Sequence, residues 1–181
     1  MARPNKIENS LLIEHKVELV SEEYKALRDE IVKRIEIDHR ILSLSLIALG
    51  AVLTAGLETQ RAIPILIYPV LELALVFVWV SNSVRINNIR QYIKNEIEDY
   101  VGEYAINWEH YNTRLSRAFN VIHFLGSRGI FLGTEIVALI AALFLVKAKF
   151  ASWSGESILL ALAILSIVIT LVLVFLPINR L

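Results

Sequence analysis

Cysteine is absent from all 181 residues, which excludes disulfides, thiolate nucleophiles and sulfur-based zinc sites together. Neither charge is in excess: Lys+Arg 18 balance Asp+Glu 18 for a net charge of +0. The chain therefore lacks the basic surplus of a nucleic-acid binder, and no nucleic-acid partner is expected. Glycine and proline are scarce, at seven and four, and no glycine-rich phosphate loop is formed from them. Ser, His and Asp show no nucleophile-and-base arrangement, so no catalytic residues and no enzyme activity are expected.

Long hydrophobic runs are what the chain has in quantity, with 56% of residues apolar. Four of them, 41–57, 63–80, 129–146 and 158–176, approach or exceed the roughly 18 residues that cross a bilayer as a helix. Inside lipid every backbone polar group must be satisfied within the segment, so the expectation is an all-α membrane protein with four transmembrane helices. Residues 1–40 form an N-terminal arm and 81–128 a helical hairpin between the second and third spans. The arm is densely charged, which does not suit a cleaved signal peptide; the first span is expected to act as an uncleaved anchor. At the other end Pro177-Ile178-Asn179-Arg180-Leu181 leads to no expected catalytic domain.

Basic residues set the orientation. Fifteen of the 18 Lys and Arg residues lie in the arm, in the central segment or at Arg180, and only Arg61, Lys147 and Lys149 fall on the opposite side. The excess of positive charge on cytoplasmic loops then places both termini and the central segment in the cytoplasm, with the protein in a cell inner membrane. Little projects on the outer side beyond 58–62 and 148–157, where Phe150 and Trp153 suit the interfacial aromatic zone, so extracellular ligand recognition is not expected.

Periodicity carries the helices past the membrane. Ser21-Glu22-Glu23 reads as a helix start, because a hydroxyl and acids suit the orphan amides and the positive end of the dipole. Tyr24, Leu27, Ile31 and Ile35 follow Val20 at steps of three and four, with no helix breaker before Ile41. A helix from Ser21 to Leu57 would be roughly 55 Å long, with its first half a cytoplasmic stalk. Ile86, Ile89, Ile93, Ile97 and Tyr100 continue the second span in the same way through Tyr104. A turn is expected between Gly102 and Asn107. Trp108, Tyr111, Leu115, Phe119 and Ile122 then mark a returning amphipathic helix, expected to end at Gly126-Ser127-Arg128-Gly129. These stretches form a cytoplasmic helical bundle built from extended helices. They must bury their stripes against one another or against another subunit, and Tyr24, Leu27, Ile31 and Ile35 are the candidate oligomerisation stalk.

Glu72 is the sharpest candidate for function. A carboxylate near mid-span costs a few kcal/mol even on permissive scales, so it should face helices, water or a partner and never lipid. Tyr68, Glu72, Trp79 and Ser83 share one helical face, just after Pro69 interrupts the backbone bonds. Two readings stand: a carboxylate in an ion or proton path, or a neutral acid hydrogen-bonded to Ser or Thr of a neighbouring helix. Glu135 lies near the expected start of the third span, where a helix amino end favours negative charge. Gly129 and Gly133, with Ala141 beyond them, have a spacing that suits close helix packing. Gly50 with Thr54, and Ala163 with Ser166 and Thr170, are weakly polar stripes that suit helix packing or a narrow pore lining. The histidines are His15, His39, His110 and His123. Glu36-Ile37-Asp38-His39 is a single E-x-x-H where a di-iron bundle needs two, so it reads as charged surface and no metal or cofactor is expected.

From Glu23-Tyr24-Lys25-Ala26-Leu27-Arg28-Asp29-Glu30-Ile31 through Lys33-Arg34-Ile35-Glu36, and again at Ile67-Tyr68-Pro69-Val70-Leu71 and Trp108-Glu109-His110-Tyr111, the chain resembles small bacterial four-span integral membrane proteins of unassigned function. More distantly, a cytoplasmic helix leading into closely paired spans resembles the SLATT-type membrane effectors, whose core has two spans where this chain has four. That resemblance implies pore formation or membrane perturbation in bacterial conflict and supplies no catalytic residues. The expected function is an oligomeric channel or pore-forming effector controlled from the cytoplasm. The alternative is a non-conducting scaffold or accessory subunit that recruits a cytoplasmic protein. The lipid bilayer and further copies of the chain are the expected partners.

Overall fold

The computed structural model describes residues 6–99, 108–145 and 155–175, and at the level of side chains 14–99, 108, 109, 111, 126–145, 155 and 157–175. The turn expected between Gly102 and Asn107, the stripe positions Leu115, Phe119 and Ile122, and the aromatic pair Phe150 and Trp153 lie outside these. Every described element is a helix: α1 (Lys6–Thr59), α2 (Ile63–Tyr92) closing in a π-helical turn (Ile93–Glu98), α3 (Trp108–Leu145) and α4 (Gly155–Phe175). All four helices are long and apolar enough to cross a membrane, and no strand occurs among the described residues.

Two boundaries differ from expectation, both because a weak stop signal meets no true breaker. Ser21 does not start α1, which is helical from Lys6; neither Gly nor Pro occurs between Asn5 and Leu49, and a hydroxyl without a chain reversal cannot end a helix. At 54 residues, α1 is about 80 Å long. Gly126-Ser127-Arg128-Gly129 does not end the returning helix, since α3 runs through it into the span. Each glycine weakens a helix by about 1 kcal/mol relative to alanine, whereas an interruption at the membrane boundary leaves several backbone groups without partners.

The α1–α2 turn is tight. Gln60, at φ 54°, sits in the left-handed region, and the Arg61 and Gln60 amides donate to the carbonyls of Gly56 (3.1 Å) and Leu57 (3.3 Å), the paired bonds that close a helix C-terminus. Pro64 then falls in the first turn of α2, where a missing N–H leaves nothing unsatisfied. Gly56 is buried, and a Cβ there would overlap the Ile65 side chain, so glycine lets α2 fold back onto α1.

α2 is the hub, packed against α1, α3 and α4. Its inward face builds three apolar clusters in succession. Nearest the α1–α2 turn, Ala62, Ile65 and Leu66 meet Ala138, Ala142 and Ala163. Further along, Val76, Trp79 and Val80 meet Ile41, Phe131 and Val174. Beyond the spans, Ile86, Ile93 and Ile97 meet Ile31, with Val20, Tyr24, Leu27, Ile35 and Ile89 around them. The stalk stripe thus packs within the chain, with Ile31 buried and Tyr24, Leu27 and Ile35 partly buried. Outward positions such as Ile47, Val70, Phe77, Ile140 and Phe144 are exposed large apolar side chains, the surface lipid covers in a spanning bundle.

Candidate functional site

Between the first two clusters lies a polar layer to which every span contributes. α1 supplies Ser45, α2 Tyr68 and Glu72, α3 Thr134 and Glu135, and α4 Thr170, all buried, with Ser166 one turn away on the same face of α4. Glu72 is 0% exposed. Its Oε1 accepts a hydrogen bond from Ser45 Oγ at 2.6 Å and lies 3.2 Å from Thr134 Oγ1. Thr134 has a single proton and three acceptors in reach, because Ile130 O and Phe131 O stand at 2.9 and 2.8 Å. The Tyr68 hydroxyl donates to the Ser45 carbonyl at 3.2 Å and lies 3.2 Å from Ser45 Oγ. Tyr68, Ser45 and Glu72 therefore form one connected chain across α1 and α2.

Glu135, also 0% exposed, accepts from Thr170 Oγ1 at 2.8 Å through its Oε1. It does not sit at a helix amino end, as the sequence suggested. α3 begins at Trp108, so the dipole contributes little at Glu135 and α4 supplies the partner instead. Thr134 and Glu135 are consecutive and about 100° apart around α3, which turns one toward the α1–α2 pair and the other toward α4. Oε2 of Glu72 and Oε2 of Glu135 are buried with no hydrogen-bond partner among the described residues.

On the side of the charged segments, Trp79 and Phe131 close the layer with ring centroids 5.5 Å apart and planes at 59°. The Arg128 guanidinium lies over the Trp79 ring at 5.9 Å, marking where the apolar core gives way to charge. Past it, Asn82 joins α2 to α1: its amide donates to Arg34 O (2.7 Å) and Asp38 Oδ1 (2.8 Å) and accepts from Arg34 Nη1 (3.1 Å). Further out, Arg28 pairs with Glu109 at 2.7 Å. Glu98, carried inward by the π-helical turn, accepts from the Glu109 amide at 3.0 Å. A carboxylate there satisfies an orphan amide at the start of α3.

Among the residues singled out in the sequence, Tyr68, Glu72 and Glu135 come together, joined on the α4 side by Thr170 and Ser166. Trp79 belongs to the adjoining apolar cluster, and Asn82, not Ser83, is the buried polar residue at the end of that face. Gly50 and Thr54 face outward, with Thr54 Oγ1 bonded to its own helix at Gly50 O (2.9 Å), so they line no interior among the described residues. No described residue lies within 4 Å of a Cβ built on Gly129 or Gly133, so the close approach their spacing allows is not made among the described residues. His39 is exposed, and Glu36 lies 3.9 Å from Arg40. The sequence does not mark Ser45, Thr134, Thr170 or Asn82 as partners. The one signal for Ser45 is its place four residues after Ile41 on the inward face. No family model, curated protein or solved structure matches the chain.

Proposed function

We propose that this protein conducts a small cation across a bacterial inner membrane through the Glu72–Glu135 layer, as a homo-oligomeric channel or pore-forming effector controlled from the cytoplasm. The supporting observation is the layer itself: two carboxylic acids buried midway along the spans and surrounded by Ser, Thr and Tyr hydroxyls. An acidic side chain at that depth costs about 2.5–3.5 kcal/mol, and intramembrane acids accordingly concentrate on ion and proton pathways. Apolar clusters seal the layer on both sides, so the arrangement corresponds to a closed state, with the Trp79–Phe131 contact as the barrier on the charged side. The joints beyond that barrier support control from the cytoplasm. Asn82 ties α2 to α1, and Glu98 with Arg28 ties α3 to both, so a force on the charged end reaches the helix that carries Glu72. The outward Gly129–Gly133 face of α3 leaves room for a second copy, and the resemblance to pore-forming effectors favours the same reading.

Purified protein in liposomes tests it. Wild type should pass cations, and Glu72→Gln, which keeps shape and removes the ionisable group, should change the conductance. Flux absent from wild type across lipid mixtures and oligomeric states overturns conduction. The seal on both sides of the layer then favours the second reading, a scaffold whose charged end recruits a cytoplasmic protein.

A further inference from the structure

We infer that the Glu72–Glu135 layer is a proton-binding site, with protons held on the two carboxyl oxygens that accept no hydrogen bond from the described residues. This rests on the conduction reading for its purpose and names the ion, while the occupancy itself is testable without flux.

The inference begins with charge balance. No Lys, Arg or His occurs within 41–57, 63–80, 129–146 or 158–176, so the chain places two acids at mid-span and no base. α1 faces the layer with Ser45 and α4 with Thr170 and Ser166, none of them titratable. Among the described residues Tyr68 on α2 is the other titratable group at the layer, and Arg128, two turns before Glu135 on α3, has its guanidinium over the Trp79 ring. A pair of carboxylates in a low-dielectric interior with no counter-charge is prohibitive. Positive charge must therefore arrive from outside the protein.

The donor geometry distinguishes a proton from a metal ion. A hard metal cation replaces its hydration shell with about six oxygens. Here the Oε1 atoms already take hydroxyl protons at 2.6 and 2.8 Å, and the hydroxyls of Tyr68 and Thr134 have backbone carbonyls in reach. One uncommitted oxygen per carboxyl remains, Oε2 of Glu72 and Oε2 of Glu135. A proton needs one such oxygen, whereas a dehydrated metal ion would have to gather the Oε1 and hydroxyl oxygens as well, pulling them from the hydrogen bonds they make here. Binding forms one O–H bond at Oε2, with the proton taken from water, and cancels one negative charge; release reverses both changes.

Infrared spectra of the protein in liposomes of ether-linked lipids, which have no ester carbonyl, test this at neutral pH. Glu98 and Glu109 are buried too, so the part of the protonated-carboxyl C=O stretch that substitution of Glu72 and Glu135 removes is what reports this pair. Wild type should show that band, shifted in heavy water because the proton exchanges, and unchanged when Na⁺ replaces K⁺. Glu72→Gln and Glu135→Gln should each remove part of it and the double variant both parts. A spectrum of wild type without the band overturns the inference and needs no variant to fold. A band that Na⁺ abolishes overturns it in favour of a metal cation, and a band untouched by both substitutions overturns the assignment. The band with no liposome flux leaves the site standing and removes conduction; flux without the band keeps conduction and removes the proton.

Discussion

Ser43 and Ser45 are two positions apart on α1 and have opposite roles. Ser43 is exposed and its hydroxyl bonds back to His39 O at 2.9 Å, within its own helix. Ser45 is buried and gives its proton to Glu72. Ser45→Ala should therefore destabilise the bundle by about 1–3 kcal/mol by stripping a buried acceptor, and Ser43→Ala should stay within about 0.5 kcal/mol. Unfolding in detergent, followed by helicity, measures both; equal effects would remove Ser45 from the layer. The same pair shows what the sequence could reveal at this scale. Glu72 was legible because an acid at mid-bilayer is anomalous wherever it points. Ser45, Thr134 and Thr170 were not, because a hydroxyl on a membrane helix can satisfy itself on the carbonyl four residues back, as Thr54 does, and its identity alone says nothing of a cross-helix partner.

At the scale of elements, the helices were legible as runs and stripes, and their ends were not. The apolar stripe at Tyr24, Leu27, Ile31 and Ile35 announced a buried face on α1, yet a one-dimensional pattern cannot distinguish a cover supplied by the same chain from one supplied by another copy. The cover is Ile86, Ile89, Ile93 and Ile97. Outside the membrane the hydrophobic effect drives such packing, with about 1.5–3 kcal/mol for each fully buried large side chain. Leu27→Asp with Ile31→Asp should then free the arm from α2, giving rapid proteolysis of the arm while the spans resist. A shift in oligomer size with the arm still protected would instead restore the stripe as an assembly seam. The α1–α2 turn makes a separate prediction. Gly56→Ala should cost about 1–3 kcal/mol through overlap with Ile65, and Ile65→Val in the same chain should recover part of it. Thermal unfolding that does not distinguish Gly56→Ala from wild type would mean the hairpin is looser than its geometry.

At the scale of the whole molecule two forces hold one continuous bundle. Within the spans lipid is as apolar as leucine, so packing of Ala138, Ala142 and Ala163 against α2 and the hydrogen bonds of the polar layer must do what water expulsion does elsewhere. Beyond Val80 water returns, and isoleucines and ion pairs take over. That change of force fixes which end of the bundle lies in an aqueous compartment deep enough to hold the extended helices, but not which compartment. Orientation rests on the distribution of basic residues, since insertion retains Lys and Arg near the spans on the cytoplasmic side. Because the chain has no cysteine, single cysteines introduced at Ser10, Asn112 and Ser154 report without background. In intact cells an impermeant thiol reagent should label Ser154→Cys and leave Ser10→Cys and Asn112→Cys untouched until the membrane is permeabilised. Labelling of Asn112→Cys from outside would invert the bundle, place the Asn82 and Glu98 joints outside the cell, and remove cytoplasmic control from both functional readings.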